Sequence, residues 1–180
     1  MNKKLPIIIL STAIITVSAA LIVLRKKRNN REFCIKSYDK KFSIIFNNEW
    51  KLSKNKNELN ENSNLEAVNI KKGICFIMFS KAKETLNDIS LYEYNENILN
   101  SMESENIIVS NKIKINNKDM YITEFNSYYK NMLIHYLLYT LETENYYHQI
   151  MAALINKNAE NNYEKQCIQI NNILSTIKEL

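Results

Sequence analysis

The sequence predicts an α+β fold, an antiparallel β-sheet with helices on both faces, preceded by one N-terminal transmembrane helix. Three observations carry this. Residues 5–24 (LPIIILSTAIITVSAALIVL) are an unbroken apolar run. Several runs between residues 42 and 156 alternate with period two, as strands do. Residues 88–103 and 159–179 instead repeat apolar side chains at helical spacing.

The apolar run comes first. At ~1.5 Å per residue, about twenty helical residues cover a ~30 Å hydrocarbon core with every backbone amide satisfied inside the helix. Lys3 and Lys4 precede the run and Arg25-Lys26-Lys27-Arg28 follow it. A cleavable signal peptide is the alternative, with Val17-Ser18-Ala19 or Ser18-Ala19-Ala20 as its small-residue site. Such a cut would leave Leu21-Ile22-Val23-Leu24 on the mature terminus, which favours an uncleaved anchor. The heavier basic flank, including Arg31, follows the run and places the rest of the chain on the cytoplasmic side. Three cysteines, Cys34, Cys75 and Cys167, form no disulfide framework and suit a reducing compartment. Cys75 and Cys167 read as small buried hydrophobes.

The charge excludes a nucleic-acid footprint. The chain carries +5, but residues 1–31 hold seven Lys/Arg and no acid, leaving 17 basic against 19 acidic residues in 32–180. The positive excess is therefore a membrane flank. Residues 1–31 read as the anchor and 32–180 as a single globular domain of ordinary size.

With Gly73 the only glycine and Pro6 the only proline, asparagines must make most turns. Phe42–Phe46 reads as a strand, Asn47-Asn48-Glu49-Trp50 as its turn, and 51–64 as an exposed connection. Leu65–Lys71 and Ile74–Lys81 form a hairpin around Lys72-Gly73. Leu91, Tyr94, Ile98, Leu99 and Met102 mark one helix face, with Asn87 or Asp88 as N-cap. Ile107–Ile115 and Met120–Tyr129 flank Asn116-Asn117-Lys118, and Met132–Thr143 and Tyr146–Asn156 flank Glu144-Asn145, two further hairpins. Met132–Leu141 is apolar on both alternating sets, which predicts a central strand covered on both faces. Tyr163, Cys167, Ile170, Leu174 and Ile177 form the stripe of a final helix.

The order strand–turn–Trp (Phe42-Ser43-Ile44 to Trp50), polar connection, hairpin, helix, four strands and a terminal helix ending near Ile173-Leu174-Ser175-Thr176-Ile177 resembles the PsbP-like domains. The resemblance covers residues 41–179. Asn47 stands where members often carry proline, three residues before the tryptophan. The resemblance implies an α/β/α sandwich, shared with a Ran-binding nuclear transport factor. It also implies a binding or assembly-assisting module attached to or near membranes, and it carries no catalytic residues across. Bacterial relatives are usually exported, against the orientation that the basic flank favours.

One glycine rules out G-x-G-x-x-G, Walker and G-x-S-x-G motifs by counting. No C-x-x-C or H-E-x-x-H occurs, and no metal or other cofactor is expected. The two histidines, His135 and His148, should lie far apart on the sheet, with His148 opposite about Thr140, each a strand histidine with a satisfied ring. Seven of eleven tyrosines fall within 121–147. Tyr128, Tyr136, Tyr139 and Tyr146, with Trp50, are the candidate patch for a ligand or partner; core packing is the plainer reading of the same residues. The expected function is a membrane-tethered, non-catalytic binding module whose partner is another protein. The alternative is a membrane-anchored hydrolase using His135 or His148.

Overall fold

The computed structural model describes residues 32–53, 58–102, 106–129, 132–155 and 160–180. The anchor read at 5–24 lies outside the described residues. Among the described residues no helix is long and apolar enough to cross a membrane.

The described chain is mostly antiparallel sheet with two α-helices. The main sheet has seven strands in the order β3-β4-β5-β9-β8-β7-β6: β3 (Lys51–Leu52), β4 (Leu65–Asn69), β5 (Ile74–Ala82), β6 (Asn106–Ile115), β7 (Lys118–Tyr129), β8 (Met132–Glu142) and β9 (Tyr146–Leu154). A second, three-stranded sheet is formed by β1 (Glu32–Lys36), β2 (Phe42–Asn47) and β10 (Lys178–Glu179), ordered β1-β2-β10. Helix α1 spans Leu91–Ser101 and α2 spans Glu160–Leu174.

Strand alternation sorts the apolar side chains into two cores. Ile74, Phe76 and Met78 of β5, Leu137, Tyr139 and Leu141 of β8, and Ile150, Ala152 and Leu154 of β9 pack under α2 and the small sheet, against Ile170, Leu174, Phe42, Ile44 and Phe46. The intervening residues Cys75, Ile77, Tyr136, Leu138, Met151 and Ala153 pack on the opposite face under α1, against Leu91, Tyr94, Ile98 and Met102. The layers are thus helix, sheet, and helix with a small sheet, an α/β/α sandwich. The double cover expected for Met132–Leu141 holds from Ile134 onward, while Met132 is exposed and Leu133 half-buried.

Turn chemistry explains the hairpins. Gly73 takes φ 63°, and Asn116 and Asn117 take φ 47° and 63°, the positive pair that a two-residue hairpin turn requires. Several expected details are corrected. The N-cap of α1 is Ser90, not Asn87 or Asp88; its hydroxyl accepts from Glu93 N while the Glu93 carboxylate accepts from Ser90 N. Asn87 and Asp88 both have positive φ, left-handed geometry that an N-cap does not use. Helix α2 stops at Leu174, so Ile177 joins its stripe from beyond the helix, and the chain then pairs Lys178 with Ser43. Strands β3 and β10 have two residues each, too few to be foreseen, and the five alternating residues of β1 form a strand not expected above.

Residues 51–64 are not simply an exposed connection. Lys51 and Leu52 pair with Val68 and Ala67. The following loop is gathered around Glu66, a fully buried carboxylate that accepts from Leu59 N at 3.0 Å, Asn60 N at 2.8 Å and Ser63 Oγ at 2.6 Å. A buried charge is tolerated only when its oxygens are this well supplied. Glu66→Ala should therefore cost about 3 kcal/mol by orphaning buried donors, read as a lowered urea midpoint at unchanged m-value.

Candidate functional site

The tyrosine-rich segment does not form one surface. Tyr136 and Tyr139 sit at odd spacing on β8 and enter opposite cores, Tyr136 stacked on Phe125 at 5.0 Å and Tyr139 fully buried beneath α2. Trp50 is buried among Phe46 and Phe76, with ring centroids 5.3 and 5.9 Å away. Tyr128 is exposed near the end of β7, and Tyr146 is half-buried at the start of β9, at the opposite end of the sheet. Core packing thus takes Trp50, Tyr136 and Tyr139, and the two accessible members of the candidate patch, Tyr128 and Tyr146, are far apart.

The two histidines are also separate. His148 pairs with Leu141, one residue from the Thr140 register expected, and His135 pairs with Leu154. His148 is fully buried; Ser80 Oγ lies 2.7 Å from its Nδ1, Thr143 Oγ1 lies 3.0 Å from its Nε2, and Phe42 meets the ring edge-on. Burial pushes the imidazole down to about 4, so it is neutral at pH 7. A serine beside a histidine has the outline of a nucleophile and base. Here both ring nitrogens are engaged and the imidazole itself is fully buried, while Ser80 is half-buried.

His135 faces the α2 side. Its Nδ1 lies 2.9 Å from Asn126 Oδ1, while its Nε2 is 3.3 Å from Glu124 Oε2 without hydrogen-bond geometry. Tyr163 of α2 meets the ring edge-on at 5.3 Å and also bonds Glu124 and Cys167. Burial pushes the Tyr163 and Cys167 groups up, with the Glu124 charge adding to both, so the thiol is held protonated rather than activated. Cys75, buried within the sheet, is pushed up to about 12 by desolvation. Among the described residues no group of three or more His, Cys, Asp and Glu could hold a metal ion.

A solvent-open cleft lies at the β8–β9 turn. It has a volume of about 420 Å³ and is lined by Ala82, Lys83, Glu84, Asp88, Glu144, Asn145, Tyr146 and Glu179. Four separate parts of the chain build it, which is why sequence reasoning found only Tyr146. Its walls are tied: Lys83 N donates to Asn145 O at 2.9 Å, Lys83 Nζ pairs with Glu142 at 2.6 Å, and Asn145 Nδ2 donates to Glu179 Oε1 at 2.8 Å. Burial works against the Glu179 charge, but bonds from Asn145 and Thr143 outweigh it and hold the carboxyl below its usual value. Lys41 lies over the Tyr146 ring at 5.1 Å. The lining offers hydrogen bonds and charge to a ligand and contains no histidine, cysteine or serine.

The cyanobacterial PsbP of Synechocystis superposes with a TM-score of 0.54 over 89% of this chain and 99% of its own, at 9% identity. The fold is PsbP-like. LpqN of Mycobacterium tuberculosis, a protein involved in cell envelope biogenesis, matches at TM-score 0.52 over 84% of this chain and 92% of its own, also at 9% identity. A Bacteroides thetaiotaomicron protein matches at 0.57 and 11% identity over 85% of this chain, which spans about half (49%) of that longer protein. No protein-family model and no curated protein sequence matches the chain. These likenesses establish fold alone, as the resemblance in the sequence anticipated.

The buried His148 sets a pH dependence. Its folded value near 4 lies below the ordinary 6.5, so the stability it permits is full above pH 6.5 and is lost as pH falls toward 4. Unfolding free energy should drop by about 2 kcal/mol between pH 7 and pH 5 on this account. Urea titrations at the two pH values test it, with His148→Gln expected to remove that part of the loss.

Proposed function

We propose that this chain is a membrane-tethered, non-catalytic binding module of PsbP-like type, held at the membrane by residues 5–24 and engaging another protein through the polar cleft at the β8–β9 turn. The observation that carries the reading is the cleft itself: a solvent-open, hydrogen-bonding recess whose lining includes no nucleophile–base pair. The engaged, buried ring of His148 favours binding over the hydrolase alternative. The PsbP-like fold supports it further, because LpqN, a neighbour of similar extent, works in envelope biogenesis. The apolar run and its basic flanks support the tether.

Two measurements test the parts separately. The full chain should remain with membranes through alkaline carbonate extraction. Ile14→Lys with Ile15→Lys should release it, since each central lysine adds roughly 3 kcal/mol to insertion. Crosslinking in intact membranes should recover a reproducible protein partner. Glu84→Lys with Glu144→Lys, both at exposed positions of the cleft, should reduce that recovery several-fold without changing the circular dichroism. Recovery unaffected by the double change would contradict the cleft as the binding surface.

A further inference from the structure

The two ends of the seven-stranded sheet are chemically different: opposite the cleft, the β7–β8 hairpin presents exposed apolar side chains, at the same end as Lys71 and Lys72 of the β4–β5 turn. His135 pairs with Leu154, the last residue of β9, so Met132, Leu133 and Ile134 carry the β7–β8 hairpin about 10 Å past its neighbour. Near this free tip Tyr128 is 66% exposed and Met132 is 48% exposed. Tyr128 pairs with Leu133. Tyr128 and Met132 fall on opposite faces of the hairpin, so both sides present an apolar body to solvent. On the neighbouring edge strand, where the β6–β7 register shifts, Ile107 and Ile108 are 41% and 56% exposed. Clustered exposed apolar side chains at one end of a sheet mark a surface that something covers.

The path of the chain indicates what covers it. Strand β2 begins over the cleft end, where the Phe42 ring lies 5.2 Å from His148. It finishes toward the other end, where Phe46 lies 5.5 Å from Phe76, a residue paired with Ala152. Strand β1 runs back along it, so Glu32, opposite Asn47, enters the fold on the hairpin side. Only residues 25–31 separate Glu32 from the apolar run 5–24, and seven residues span at most ~25 Å. Those seven include five Lys/Arg, which hold close to anionic headgroups.

We infer that the β7–β8 hairpin end of the domain, with Tyr128 and Met132 at its tip and Ile107 and Ile108 behind, seats on the lipid bilayer surface. This rests on the tether proposed above. Tyrosine suits the depth, since its ring is apolar and its hydroxyl is served by headgroups and water. Strand ends cannot go deeper than the interface, because their backbone groups would lose water without gaining partners. The cleft then points away from the membrane.

Tryptophan fluorescence tests this in the full chain incorporated into phosphatidylcholine–phosphatidylglycerol vesicles, with and without bromine on the upper acyl chain. The native Trp50 is buried and supplies a constant baseline. Tyr128→Trp and Met132→Trp add an emitter at the tip. Leu180→Trp adds one at the opposite end, where Leu180 is exposed and its N–H donates to Lys41 O. The emission added at 128 and at 132 should be quenched at least about two-fold more than that added at 180. Equal quenching at all three positions, with the protein still floating with the vesicles, overturns the seating and leaves the tether intact. A wild-type chain that does not float with the vesicles overturns the tether, and the seating with it.

Discussion

Everything in this fold depends on three neighbouring strands, β5, β9 and β8, that are apolar on both alternating sets and must be covered twice. Helix α1 supplies one cover and α2 with the small sheet supplies the other. The chain meets this demand by inserting α1 between β5 and β6 and by returning at its end to the opposite face. The return is fastened by polar contacts: Lys118 Nζ donates to Ile177 O, Ile45 N donates to Thr176 Oγ1, and Leu180 N donates to Lys41 O. Polar groups inside the sandwich are held in the same way. The buried Gln149 donates to Tyr94 Oη, and Glu66 draws its own loop inward. Such contacts add less net stability than apolar burial, but leaving them unmade is expensive, so they fix one arrangement of the layers.

Much of this was legible in the sequence wherever a local rule sufficed. Gly73 and Asn116-Asn117 announce hairpins because the turns need positive φ, and period two against period 3.6 separates strands from helices. The failures lie where local rules compete or distant residues decide. Asn87 and Asp88 are good N-caps in isolation, yet they occupy left-handed turn geometry before Ser90 takes that role. Strands β3 and β10 contain two residues each and exist only because a partner strand is there to receive them. The tyrosine cluster is dense in sequence, but alternation sends its members to opposite faces, so density along the chain did not become density on a surface. The cleft was nearly invisible because Lys83, Glu144 and Glu179 meet only in three dimensions.

The reading of function follows from the contrast between the sheet's ends. At the β8–β9 turn, charged and amide side chains are tied to one another and remain accessible. At the β7–β8 hairpin, Tyr128 and Met132 project on opposite faces, at the same end of the sheet as Glu32. On the proposed tether, this contrast would orient the domain with its polar cleft held clear of the bilayer. His148 contributes to this arrangement as a buried, neutral strut between Ser80 and Thr143, a structural role that its lowered basicity accompanies.

The most direct measurement is neutron reflectometry of the full chain in a supported bilayer. Protein density should be continuous with the headgroup layer and extend about 35 Å beyond it, roughly the length of an eleven-residue strand standing on its end. A hydrated gap of about 15 Å or more between headgroups and domain, which an extended seven-residue connection would allow, would contradict a domain seated on the membrane by its apolar end.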